Sequence, residues 1–122
     1  MINVPVSIGE VFDKISILLI KKNKIPLHQN DIQKEIELLQ AAVSNYELDN
    51  EIFNDLKNIN EQLWEIEDKI REKERLNSFD QEFIELARNV YISNDRRAQI
   101  KKKINTHFGS VIKEFKSYKE YR

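Results

Sequence analysis

The sequence predicts an all-α protein, an antiparallel helical bundle built on a long helix 3–helix 4 hairpin with two shorter N-terminal helices. Three observations carry that prediction. Ile52, Leu56, Ile59, Leu63, Ile66 and Ile70 recur at alternating spacings of four and three, a heptad seam. Gly and Pro occur only twice each in 122 residues, which leaves little material for hairpins or long loops. Ser7-Ile8-Gly9-Glu10 reads as a capping box, which fixes where the first helix begins. A chain of this length is expected to form one domain over residues 1–122.

Pro5 biases Val4 away from helix, so residues 1–6 are expected to be extended. Helix 1 then runs over about 8–24, with Ser7 as N-cap, Glu10 at N3 and Val6 and Val11 as a hydrophobic staple. Its main apolar face is Ile8, Val11, Phe12, Ile15, Leu18 and Leu19, while Ile17 and Ile20 lie on the opposite side. A helix apolar on two faces is either sandwiched between neighbours or part of an oligomer interface. The basic KKNK segment and Pro26 close it. Asn30 with Gln33 predicts the start of helix 2, over about 31–44, with Ile32, Ile36, Leu39, Ala42 and Val43 inward.

Asp49 or Asn50 caps helix 3, over about 50–76, a rod of roughly 40 Å at 1.5 Å per residue. Asn77-Ser78 is the turn, with Ser78 and Gln81 as the capping pair of helix 4, over about 79–107. Gly109 should end that helix, and residues 110–122 are expected to form a last short amphipathic helix from Val111, Ile112, Phe115 and Tyr118.

Beside the heptad seam runs an unusual stripe of Phe53, Asn60, Trp64, Glu67 and Arg71. On helix 4 the positions expected to face inward between Val90 and Ile104 are Asn94, Arg97 and Ala98. Antiparallel registry about the turn brings residues near 60–64 opposite 91–95, and those near 67 opposite 88. Asn60, Trp64, Glu67, Asp68 and Arg71 should therefore meet Arg88, Tyr91, Asn94 and Asp95, with Asp13 and Lys14 added from helix 1; the inward Arg97 completes the candidate polar site. Such a layer is either a ligand site or a buried network that fixes registry.

Several chemistries are excluded. With no Cys there is no disulfide framework, thiolate metal site or Cys nucleophile. His28 and His107 lack the Glu-x-x-His spacing of di-iron bundles, so neither metal nor cofactor is expected. Glu65-x-x-Asp68 and Glu82-x-x-Glu85 resemble the magnesium-holding pairs of all-α nucleotide pyrophosphatases, but such pairs arise by chance among 21 acidic residues. The cation-lined bundles of the chorismate mutase class need an inward Arg and Lys that helix 1 lacks. No phosphate-cradling glycine loop is present. No run is long and apolar enough for export or membrane spanning, so a cytoplasmic location is expected.

Charge is unevenly spread: from Arg88 to Arg122 there are ten Lys/Arg against three Asp/Glu. Within that basic end Arg96, Lys101, Lys102 and Lys103 are candidate anion-binding residues. Nucleic acid is not expected as a partner, since no helix-turn-helix spacing surrounds them.

The segments PVSIGEVFDKISILLIKKNKI, LWEIEDKIRE and FIELARNVYISNDRRAQIKKKINTHFGS together resemble a small bacterial and phage-encoded helical family of unknown function. That resemblance implies recurring polar positions at Glu10, Asp13 and Lys14, then Asn60, Trp64, Glu67, Asp68 and Arg71, then Arg88, Tyr91, Asn94, Asp95 and Arg97. It supplies no activity, substrate or partner. The expected function is a self-associating, homodimeric binding or interaction module with a protein partner. The alternatives are a protein or enzyme that takes a phosphorylated or carboxylated metabolite in the polar layer, and a non-specific polyanion binder.

Overall fold

A computed structural model describes residues 1–121 as four α-helices, α1 (Ile8–Lys24), α2 (Gln29–Ala42), α3 (Asn50–Arg75) and α4 (Gln81–Phe108), with no strand among the described residues. Arg122, counted above in the basic end, lies outside them. The fold is an all-α bundle in which the α3–α4 hairpin pairs along its length and α1 packs on each of the other three helices. The two apolar faces of α1 are thereby explained as a sandwich: Phe12, Ile15, Leu18 and Ile20 are all buried. The main core cluster joins Phe12 and Ile15 to Val43, Leu56, Ile59 and Ile104.

Local chemistry sets most helix ends. Ser7 is extended, and its Oγ accepts from Glu10 N at 3.1 Å. Asp49 caps α3 by accepting from Glu51 N at 2.8 Å. At the end of α3, Asn77 N donates to Glu74 O (3.1 Å) and Ser78 N to Lys73 O (2.9 Å), with Asn77 at φ 50°. That pair of bonds is a Schellman motif, in which Asn substitutes for the usual Gly.

Four expectations are corrected. Helix 2 begins at Gln29 and stops at Ala42, and its N-cap is His28 at φ 64°, not Asn30. The Gln29 side chain instead donates to the closing carbonyls of α1, Lys22 O and Ile25 O, while Gln33 accepts from Lys22. Helix 4 begins at Gln81 because Asp80, not Ser78, receives the Phe83 N–H at 3.0 Å. The tail after Gly109 (φ 62°) is not helical. Val111 and Phe115 find no surface to pack on, at 99% and 86% exposed, and a short helix with little packing is marginal in water.

The heptad seam divides in two. Leu56, Ile59 and Leu63 are buried, whereas Ile66 and Ile70 are only half-buried. Among the described residues from 64 to 92, none is buried. At 17 residues α1 is about 25 Å long, against about 40 Å for α3 and α4, so the outer part of the hairpin has two helices and nothing else.

Candidate functional site

The α1–α4 seam is polar where the rest of the core is apolar. On α4, Ser93, Arg97, Lys101 and Asn105 fall four residues apart and so share one face. On α1, Gly9, Asp13 and Ser16 fall at spacings of four and three. Of these seven residues all but Arg97 are buried.

Gly9 makes the approach possible. Its N–H donates to Asn105 Oδ1 at 2.6 Å, and a Cβ there would stand 2.7 Å from the Lys101 carbonyl oxygen. Only a residue without a side chain lets the two helices come so close. A second tie joins the chain ends: Ile8 N donates to Ser110 Oγ at 3.2 Å.

Asp13, 1% exposed, is the centre of the network. Arg97 meets its carboxylate bidentately, through Nε to Oδ1 at 2.9 Å and through Nη2 to Oδ2. From α3, Asn60 Nδ2 donates to Asp13 Oδ1 and to Ser16 Oγ, both at 2.8 Å, while Ser16 Oγ donates to Asp13 O. Lys101 Nζ stands 4.0 Å from Asp13 and is paired with Glu10 (2.7 Å) and Glu114 (3.1 Å). Among the described residues no buried side-chain nitrogen or oxygen lacks a hydrogen bond.

The charges hold one another in place. The hydrogen bond it donates to Asp13 pushes the Arg97 guanidinium up, against its partial burial. Burial pulls the Lys101 ammonium down, and the hydrogen bonds to Glu10 and Glu114 outweigh it, so the net shift is upward. Hydrogen bonds from Lys116 and Lys101 hold Glu114 below the ordinary glutamate range. Arg97 and Asn60 together place three hydrogen bonds on the Asp13 carboxylate, two on Oδ1 and one on Oδ2.

Of the sequence-predicted residues, the structure brings Asp13, Asn60, Arg97 and Lys101 together. It does not assemble the rest into a layer between α3 and α4. Lys14 faces outward and pairs with Glu35 at 3.1 Å. Trp64 is half-buried, and Glu67, Asp68, Arg71, Arg88, Tyr91 and Asn94 are exposed. No ion pair among the described residues links Glu67, Asp68 or Arg71 to Arg88. The polar layer thus lies between α1 and α4, because α1 docks on the inner half of the hairpin. Among the candidate anion-binding residues Arg96, Lys102 and Lys103 are exposed and Lys101 is buried.

Ser16, Asn105, Ser110 and Glu114 were missing from the sequence-based set. The four-residue stripe from Ser93 to Asn105 was the available signal for Asn105; no signal marked Ser110 or Glu114, whose partners are distant in sequence.

Beyond the network, the tail lies along α4. Tyr118 and Tyr121 both donate their hydroxyls to Asp95, and the Tyr121 ring meets Tyr91 edge-on at 5.1 Å. Between tail and helix is a cavity of about 410 Å³ whose lining includes Tyr91, Asn94, Asp95, Arg97 and Lys101. Among the described residues no cluster of His, Cys, Asp and Glu has the makings of a metal site, and no helix is long and apolar enough to cross a membrane.

No curated protein and no solved structure matches the chain. A family model does, over residues 2–121, which takes in the α1–α4 seam, the outer hairpin and the tail alike. The chain belongs to a family of unknown function, DUF6165.

Proposed function

We propose that this protein is a small helical interaction module that self-associates as a homodimer through the outer half of the α3–α4 hairpin. The observation that carries the proposal is the unfinished seam: an apolar heptad continues through Ile66 and Ile70, yet no described residue from 64 to 92 is buried. Leu76, Phe79, Ile84 and Tyr91 are each about half exposed or more. Apolar surface of this kind along paired helices is what a further pair of helices covers.

Charge favours a second copy of the chain as the covering partner. Residues 64–92 carry eight acidic and five basic side chains, whereas 93–121 carry three acidic and eight basic. Glu65, Glu67, Asp68 and Glu85 on the outer hairpin make no ion pair among the described residues, and neither do Arg96, Lys102 and Lys103 on the inner half of α4. A two-fold axis that lays two hairpins antiparallel matches each acidic end with the other copy's basic stretch, twice over.

Analytical ultracentrifugation tests this directly. The wild-type chain is expected to sediment as a dimer that weakens as salt is raised, and Ile84→Glu is expected to sediment as a monomer with unchanged helix content. A wild-type monomer at concentrations up to about 100 μM, a Kd that leaves little binding energy, would remove the proposal.

A further inference from the structure

We infer that the cavity between α4 and the C-terminal tail is a binding site for a small anion carrying hydroxyl groups, and that the tail occupies that site with Glu114 and Tyr118 in place of the ligand's groups. The inference rests on the tail's contacts and not on self-association.

The tail is held mainly by polar contacts. Every described residue from 111 to 121 is exposed, and none is in a helix or strand. Its polar contacts with the body include a carboxylate on a buried ammonium, Glu114 on Lys101 at 3.1 Å, and phenol hydroxyls on a carboxylate, Tyr118 and Tyr121 on Asp95, beside the edge-on contact of the Tyr121 ring with Tyr91. These are the contacts by which a protein holds an anionic polyol: a cation for the acid group, and an ionised carboxylate accepting from hydroxyls.

The body side of the site is preformed. Arg97 is fixed by Asp13, and Lys101 by Glu10, so both cations keep their positions whether or not the tail is present. Lys101 is 8% exposed, and a lysine so buried needs carboxylate or equivalent partners to remain charged. Glu114 is one such partner; a carboxylate or phosphate of a ligand fills the same place. With the tail docked, about 410 Å³ stays open beside Arg97 and Lys101, walled on the other side by Glu114 and Tyr118, and a ligand that displaces the tail gains their places as well.

The tail can leave without unfolding the bundle. Gly109, at φ 62° with open space around its Cβ position, and Ser110, buried and bonded to Ile8 N, fix the point from which it departs. Beyond that point its described residues add nothing to the hydrophobic core.

Glycerol 3-phosphate is the probe, titrated into ¹⁵N-labelled full-length protein, with inorganic phosphate and glycerol as separate arms. In Glu114→Gln the amides of Asn94, Asp95 and Lys101 are expected to shift saturably, with an apparent Kd about tenfold below wild type if the tail is docked about nine-tenths of the time. The double variant Tyr118→Phe/Tyr121→Phe, which loosens the tail from its other end and leaves Lys101 untouched, is expected to move affinity in the same direction. Lys101→Met is expected to abolish the shifts. Glycerol alone should leave these amides unmoved, and inorganic phosphate should bind more weakly than the probe. Absence of saturable shifts in both loosened variants overturns the site. Binding equal to wild type overturns the competition by the tail. Equal affinity for phosphate and glycerol 3-phosphate overturns the hydroxyl subsite.

Discussion

The inner and outer halves of the α3–α4 hairpin are built from one continuous heptad seam, yet they end in opposite surfaces. In the inner half, α1 lies against both helices, so that Leu56 and Ile104 are fully enclosed and even Asp13, Asn60 and Asn105 are buried. In the outer half, Ile66 and Ile70 hold the same seam positions and stay half open. The periodicity is the same, and the difference is a third helix. Two paired helices cover one stripe of each, whereas three enclose a core.

The largest effect expected from this contrast is at Asp13. Asp13→Ala removes the shared acceptor of Arg97 and Asn60 and leaves partly buried cations without it, at a cost of about 3–5 kcal/mol. Denaturant unfolding measures it, and a loss under about 1 kcal/mol would mean that the inner network is a surface pair in disguise. Gly9→Ala is next. In an open helix this change stabilises by about 1 kcal/mol. Here the new methyl meets backbone at Lys101, so the sign is expected to reverse, with a loss of about 1–3 kcal/mol.

The tail gives a smaller, pH-dependent effect. Glu114 is held low by hydrogen bonds from Lys116, within the tail, and from Lys101 on the body, and Asp95 by those from Tyr118 and Tyr121, so the share of docking carried by the Lys101 and Asp95 contacts is complete above the ordinary carboxylate range and is lost as pH falls through the lowered values. Asp95 raises the Tyr118 phenol, so its share is complete below the ordinary tyrosine range and is lost as pH climbs through the raised value. Tyrosine ring signals in NMR are expected to become free-chain-like at both extremes while α4 amides stay dispersed. The smallest effect belongs to the outer half: Glu67→Ala should change unfolding by no more than about 0.5 kcal/mol at concentrations that keep the chain monomeric. A larger loss would show that the two halves are not so different after all.

The residues that sequence reasoning placed well are those whose partners are near in the chain. Ser7 with Glu10, Asp49 with Glu51, and the seam from Ile52 to Leu63 are decided within one to three turns. The polar layer was legible as a set of residues and misplaced in space. Glu67 and Arg88 were expected to face inward because hairpin registry sets them opposite each other, but which side of a hairpin is covered depends on where a distant helix docks. Lys101 shows the same limit. In the run Lys101-Lys102-Lys103 the three are chemically alike, and only the 100° turn per residue, referred to Arg97 and Asn105, sends the first inward and the others into solvent. The αL residue His28 and the Gln29 side chain that closes α1 defeated the simpler capping rule at Asn30, since a side chain can satisfy the preceding helix instead of starting its own.

The ties between the two ends of the chain bear on the order of assembly. Gly9 bonds to Asn105 and Ile8 to Ser110, across 96 and 102 residues. Of the four helices α1 is made before the others, and its polar face, Gly9, Asp13 and Glu10, lacks its partners until α4 has followed. The hairpin closes locally, around a short turn, and contacts near in sequence form fastest. Pulse-labelled hydrogen exchange during refolding is therefore expected to protect amides of α3 and α4 before those of α1, the first of the four helices being the last one sealed in.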